Sequence, residues 1–334
     1  MRKFYNILLI LIFASCVASS QIKNEYGVYE SVLRNVQGTI DQISLNLTSA
    51  AYKAGWNVIT TIDAGVPEGC PYKARVIVLY EPSYLKNVMD ANRKTGPFAI
   101  IDRINIFQDE QGLHLSVVNP HSISRTVLMD DSKYSEVSEL HLQSLRSLII
   151  SAVKGESSKQ QYGQIRDEGF IGKTMGVIAG GRFDAKIENE ITIPKGDLSE
   201  IADKVEKSLT IKGTKWGTHA AYRIQLNDYE TVIIGITGTP MDSKSFTIVG
   251  SGSDDSREDF KCAGLAHAGA YPLELVVTHE KNDVVIRIVD AMFRMKMYFE
   301  DAGVWAFMKN MAMPGSIEDE IINRVLPAIK QITK

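Results

Sequence analysis

The sequence predicts a tandem α+β protein of two units, each a two-layer α/β sandwich in which a small, mainly antiparallel sheet is covered by helices. Three observations predict it. Apolar, β-branched runs such as ARVIVLY at residues 74–80 alternate with amphipathic stretches of helical spacing. Paired strands joined by short polar turns occur twice, at residues 100–108 with 113–118 and at 272–278 with 284–289. The chain of 334 residues is long enough for two domains of ordinary size.

From the N-terminus, Arg2 and Lys3 precede an apolar run over residues 4–13 and small residues over 14–20. This is the order of an export signal peptide, and the run is too short to span a bilayer. The expected location is the periplasm or cell envelope. Two processing sites compete. Ala18-Ser19-Ser20 before Gln21 suits a signal peptidase, whereas Phe13-Ala14-Ser15-Cys16 resembles a lipobox with an atypical first residue. Cleavage before Cys16 would leave it lipidated and tether the protein to a membrane, the one membrane contact the sequence allows.

The first unit, residues 21–154, follows. Residues 26–34 read as a strand, and 36–54 as an amphipathic helix stopped at Gly55, where glycine accepts a left-handed cap. A strand at 56–62, a loop marked by Pro67, Gly69 and Pro71, the buried strand at 74–80 and a helix from Pro82 to about residue 92 come next. The hairpin turning at Asp109-Glu110-Gln111-Gly112 leads to a helix at about 134–153, with Leu140, Leu145, Leu148 and Ile149 at helical spacing. Residues 155–185 are rich in Gly, Gln and Ser without clean periodicity and read as a linker.

The second unit, residues 186–334, opens with a strand at 187–193 and a capping box, Asp197-Leu198-Ser199-Glu200, that starts a helix to about 209. It then echoes the first. A tryptophan follows the helix in both, Trp56 and Trp216, and LHLSVVNP ending at Pro120 aligns with VVIRIVDA ending at Ala291. The alignment sets Asn119 against Asp290 and His121 against Met292, the signature of a diverged duplication.

Residues 72–120, above all RINIFQDEQGLHLSVVNP from Arg103 to Pro120, resemble the small bacterial α+β module known as domain of unknown function 302 (DUF302). The resemblance implies a sheet layered with helices and a hairpin followed by an Asp/Asn-Pro step. It covers the first unit and reaches the second only through the duplication, where Ala291 replaces the proline. It implies no activity and no functional residue.

Composition narrows the function further. A content of 44% apolar and 23% charged residues is ordinary for a globular chain, and a net charge of −3 gives no basic footprint for nucleic acid. Cys70 and Cys262 are the only cysteines beyond Cys16, and they read equally as a disulfide or as two separate thiols. Gly172-Lys173-Thr174 lacks the earlier glycine and the preceding strand of a phosphate loop. There is no Gly-x-Ser-x-Gly elbow and no Cys-x-x-Cys-His, and the carboxylates and hydroxyls of Ser251 to Arg257 have the composition of a solvated loop.

Chemistry is hinted at only by methionine. Six of the eleven fall in one doubled pattern, Met292-x-x-Met295-x-Met297 and Met308-x-x-Met311-x-Met313. Thioethers suit Cu(I), and they are also adaptable core fillers. At about 100° per residue, Met292 and Met295 share a helix face while Met297 turns about 140° away, so the six cannot ring one ion on a regular helix. A bend at Gly303 would let Met292 and Met295 face Met308 and Met311, with Asp290 capping the first helix and Pro314-Gly315 breaking the chain before a terminal helix from about residue 317.

The leading expectation is a non-enzymatic binding protein in which Met292, Met295, Met308, Met311, Trp305 and Phe299 contact an apolar ligand or a protein partner. A second copy of the chain is an admissible partner. One alternative is Cu(I) handling by the same four methionines with Cys262 and His267. The other is an enzyme whose site lies between the two domains.

Overall fold

The computed structural model describes residues 26–129, 134–166, 180–187, 191–250 and 260–330. The expected signal peptide, Cys16, Gly172-Lys173-Thr174 and the run from Ser251 to Arg257 lie outside the described residues.

The first unit runs β1 (Tyr26–Arg34), α1 (Ile40–Lys53), β2 (Asn57–Asp63), β3 (Ala74–Tyr80), α2 (Pro82–Ala91), β4 (Asp102–Asp109), β5 (Gly112–Val118), α3 (Pro120–Val127) and α4 (Ser135–Ala152). Two strands follow, β6 (Glu156–Ser157) and β7 (Gln161–Arg166). The second unit runs β8 (Ile191–Pro194), α5 (Leu198–Ser208), β9 (His219–Leu226), β10 (Thr231–Thr237), α6 (Thr239–Gly250), β11 (Leu273–Glu280), β12 (Asp283–Ile288), α7 (Ala291–Phe299), α8 (Gly303–Lys309) and α9 (Ala312–Lys330). The fold is α+β, with two antiparallel sheets covered by helices.

Local chemistry sets many of these boundaries. Thr39 caps α1 by accepting a hydrogen bond from Gln42 N at 3.2 Å, and Asp197 caps α5 by accepting one from Glu200 N at 2.7 Å. Asn119 and Asp290, equivalent in the sequence alignment, perform the same task for α3 and α7, accepting from His121 N and Phe293 N. Both hairpins turn on two residues, Glu110-Gln111 and Lys281-Asn282, and Lys281 takes the positive φ of 57° that such a tight turn needs.

The two sheets share one strand order. The first sheet reads β2-β3-β4-β5-β1 and the second β9-β10-β11-β12-β8, so each strand has a counterpart in the same place. Among the described residues the first sheet alone is extended, by β6 and β7 pairing with β1. Residues 156–166, at the start of the expected linker, are therefore part of the first sheet.

The two units meet through counterpart elements. Edge strand β2 lies against its counterpart β9. Beyond β2, Gly65 N donates to Asp242 Oδ2 on α6 at 3.1 Å; beyond β9, the Tyr229 hydroxyl donates to Asp90 Oδ1 on α2 at 3.0 Å. Register pairs Ile104 with Val117 and Leu275 with Ile288, each partner lying two residues before its helix cap, so Arg103 and Glu274 occupy equivalent positions. These two residues form an ion pair with each other, at side-chain exposures of 2% and 4%. Contact between counterpart elements is the pattern of an isologous dimer, here within one chain, with Arg103 and Glu274 facing each other where a pseudo-two-fold axis would pass.

Two apolar clusters result. Ile43 and Leu47 of α1 with Leu145 and Ile149 of α4 pack on the outer face of the first sheet against Ile77, Ile104 and Leu115. The other cluster joins the inner faces of both sheets with α2, α3, α6 and α7, and continues to Ile317, Ile321, Val325 and Ile329 of α9. One core therefore spans both units.

The C-terminal helix corrects one expectation. Instead of breaking at Pro314-Gly315, α9 starts at Ala312 and runs through them. Pro314 falls in its first turn, where no intrahelical N–H bond is lost.

Candidate functional site

Structure divides the methionine-aromatic region by burial. Met295, Met297, Met313 and Phe299 are buried and Met292 is half-buried, whereas Trp305, Met308 and Met311 are 75%, 48% and 41% exposed. Helix α7 packs on α9 and α8 packs on α6, and Met295 lies inside this junction while Met308 and Met311 are exposed. Met295 and Phe299 line a cavity of about 40 Å³ with Tyr271, Arg294 and Ile317. That is room for roughly one water molecule rather than an organic ligand.

The residues considered for Cu(I) are likewise dispersed in role. Cys262 is bonded to Cys70 at 2.05 Å, so its sulfur is no thiolate donor, and the pairing left open by the sequence is settled as a disulfide. His267 is fully buried and pairs with Asp301, Nε2 to Oδ2 at 2.8 Å. Among the described residues, no three His, Cys, Asp or Glu side chains gather in a metal-binding group.

Polar side chains concentrate instead at the seam between the units. Arg103 pairs with Glu274 and donates to the Tyr298 hydroxyl at 3.2 Å, while Tyr29 donates to the Tyr298 carbonyl at 3.1 Å. Arg294 lies over the rings of Tyr298 and Tyr271, 4.7 and 5.3 Å from their centroids, and burial pulls its pKa below the ordinary guanidinium value. Tyr222 sits over Gly235, which carries no side chain; a Cβ there would come within 2.0 Å of the ring. Burial raises the Tyr222 hydroxyl to about 12. Asn105 completes the row, donating to the carbonyls of Leu265 and Ala266 at 3.1 Å. The seam joins the two sheets from within the core.

Asp242 is the seam's titratable element. It accepts from Gly65 N and, at 3.4 Å, from the Thr237 hydroxyl, while its Oδ1 is buried without a partner. Burial pushes its carboxyl up to about 7. Since an unfolded aspartate titrates near pH 4, the folded chain holds an extra proton between about pH 4 and 7, and this group's contribution to stability falls as pH rises through that window. Asp242→Asn is expected to remove up to ~4 kcal/mol of that pH dependence. Urea unfolding of parent and variant at pH 5 and pH 8 checks it: equal pH slopes in both proteins would refute the assignment.

A larger opening lies at the outer end of the first sheet. It holds about 540 Å³ between the β4–β5 hairpin, β7 and residues 260–266, and is lined by Arg34, Phe107, Asp109, His114, Gln160 and Tyr162 among others. Sequence reasoning missed these residues. They come from four separate segments, and only the Asp109 and His114 pair, joined at 2.8 Å across a two-residue turn, was accessible to a hairpin argument.

Comparison with known proteins gives one structural likeness. No family model matches the chain, and no curated protein matches it. Among solved structures, the chain is similar to the crystal structure of an uncharacterized conserved DUF302 protein from Bacillus stearothermophilus, with 14% identity and a TM-score of 0.32. The similarity covers 37% of this chain and 98% of that one.

Proposed function

We propose that this chain is a non-enzymatic binding protein of the cell envelope, exported by its N-terminal signal, which engages a protein partner through Trp305, Met308 and Met311. The observation that carries the reading is the exposure of three large apolar side chains within seven residues of a region whose other methionines are half-buried or buried. Isolated exposed apolar residues are ordinary, but a contiguous strip marks a contact surface. Trp305 and Met308 are three residues apart on α8 and share a face, and Met311 follows directly. Ala306 turns inward, and Phe307 packs against the core, fixing α8 so that the strip points out. Thioethers adapt to varied shapes, and an exposed indole is a common binding anchor. We also take both units as diverged copies of a DUF302-like module, for which the shared strand order is the support.

Trp305→Ser, Met308→Ser and Met311→Ser together are expected to change unfolding free energy by no more than about 0.5 kcal/mol per site, since the side chains are exposed. A photo-crosslinking amino acid at position 305 is expected to give a discrete protein adduct in the envelope, with none from position 204 on α5. Equal labelling at both positions, or capture of lipid alone, would sink the reading.

A further inference from the structure

We propose that the cleft at the outer end of the first sheet binds a neutral saccharide. This goes beyond the strip on α8, which shares no residue with it. Its floor continues the inner face of the sheet. Phe107 and His114 face each other across β4 and β5, the next pair outward on the same face as Asn105 and Ser116, whose side of the sheet is covered by the helical turn at Ala263–Ala270. Beyond that turn the cover is held away from the floor by two attachments: Cys262 is bonded to Cys70, and Lys261 N donates to Glu110 Oε1 at 2.9 Å. A volume of about 540 Å³ remains, within the range of small-molecule sites.

The lining selects the class of ligand. Its two main charges, Arg34 and Asp109, are of opposite sign and bonded to Gln160 and His114, so the cleft carries no net charge to select an ionic ligand. An apolar ligand would strip water from Gln108, Gln111 and Gln160 without replacing its hydrogen bonds. Hydroxyl groups donate and accept, as do carboxamides, and Phe107, Tyr162 and Phe260 add flat faces for the C–H side of a sugar ring.

Cellobiose and N,N′-diacetylchitobiose are the probes, titrated into the isotope-labelled, disulfide-intact chain while amide NMR shifts are followed. Saturable shifts confined to residues 107–114 and 160–165 are expected for at least one disaccharide, with weaker or no effects from the charged sugars glucosamine and glucuronic acid. Gln111→Ala and Gln160→Ala change exposed side chains, so the fold is retained, and each is expected to weaken binding about threefold to tenfold. The proposal is overturned if neither disaccharide shifts these amides at roughly 10 mM, enough to saturate even a 1 mM site. It is equally overturned if the shifts lie elsewhere, if charged sugars bind as well, or if both variants bind like the parent.

Discussion

Changing Cys70 and Cys262 to serine together is expected to lower the unfolding free energy by about 5 kcal/mol, the chain-entropy value for a very long closed loop. The bond joins residues 192 positions apart, so the unfolded chain it constrains includes most of both units. Because one apolar cluster spans the two sheets, both units are expected to unfold in a single transition. Trp56, in the core of the first unit, and Trp216, beside β9, give separate fluorescence reporters once each is left as the sole tryptophan. Coincident transitions that move together to lower urea in the double serine variant are the expected result. A loss below about 1 kcal/mol would mean that the bond does not restrict the denatured chain. Separate transitions for the two reporters would instead refute a shared core.

The sequence carried the repeated strand pairs well because each is local. LHLSVVNP and VVIRIVDA sit beside two-residue turns, and their helix caps, Asn119 and Asp290, fall where the alignment puts them. It did not yield β10 or α6. TVIIGIT at Thr231–Thr237 is buried at every position, so it lacks the alternation that identifies a half-exposed strand. The expected repeat offered a signal, since β10 holds the same place in its sheet as ARVIVLY in the first. Helix α3 was hidden behind Pro120, which opens it from the first turn instead of ending a segment. The candidate sites were less legible still. That Met295 lies inside and Met308 outside depends on what α6 and α9 cover, and the cleft is assembled from strands and loops up to 235 residues apart, from Ser31 to Ala266. Such relations are tertiary and leave no periodic trace.

Arg103→Ala or Glu274→Ala alone is expected to cost about 3 to 5 kcal/mol, because either leaves one buried charge without its partner. Arg103→Glu is expected to cost more, setting two carboxylates together inside the core. If the residues occupy equivalent positions beside a pseudo-two-fold axis, exchanging them should restore the pair, since each site is built by the same strand register. The exchange Arg103→Glu with Glu274→Arg is therefore expected to recover most of the loss, short of about 1 kcal/mol for the bond that Arg103 donates to Tyr298. Replacing both by leucine provides the complementary test. A buried ion pair gains little over well-packed apolar groups, so Arg103→Leu with Glu274→Leu is expected to be neutral or stabilising by about 1 to 4 kcal/mol. Urea midpoints for the single, exchanged and double-leucine variants distinguish these cases. An exchange no better than Arg103→Glu alone would show that the two positions are not interchangeable, and with it the symmetric packing of the units would fail.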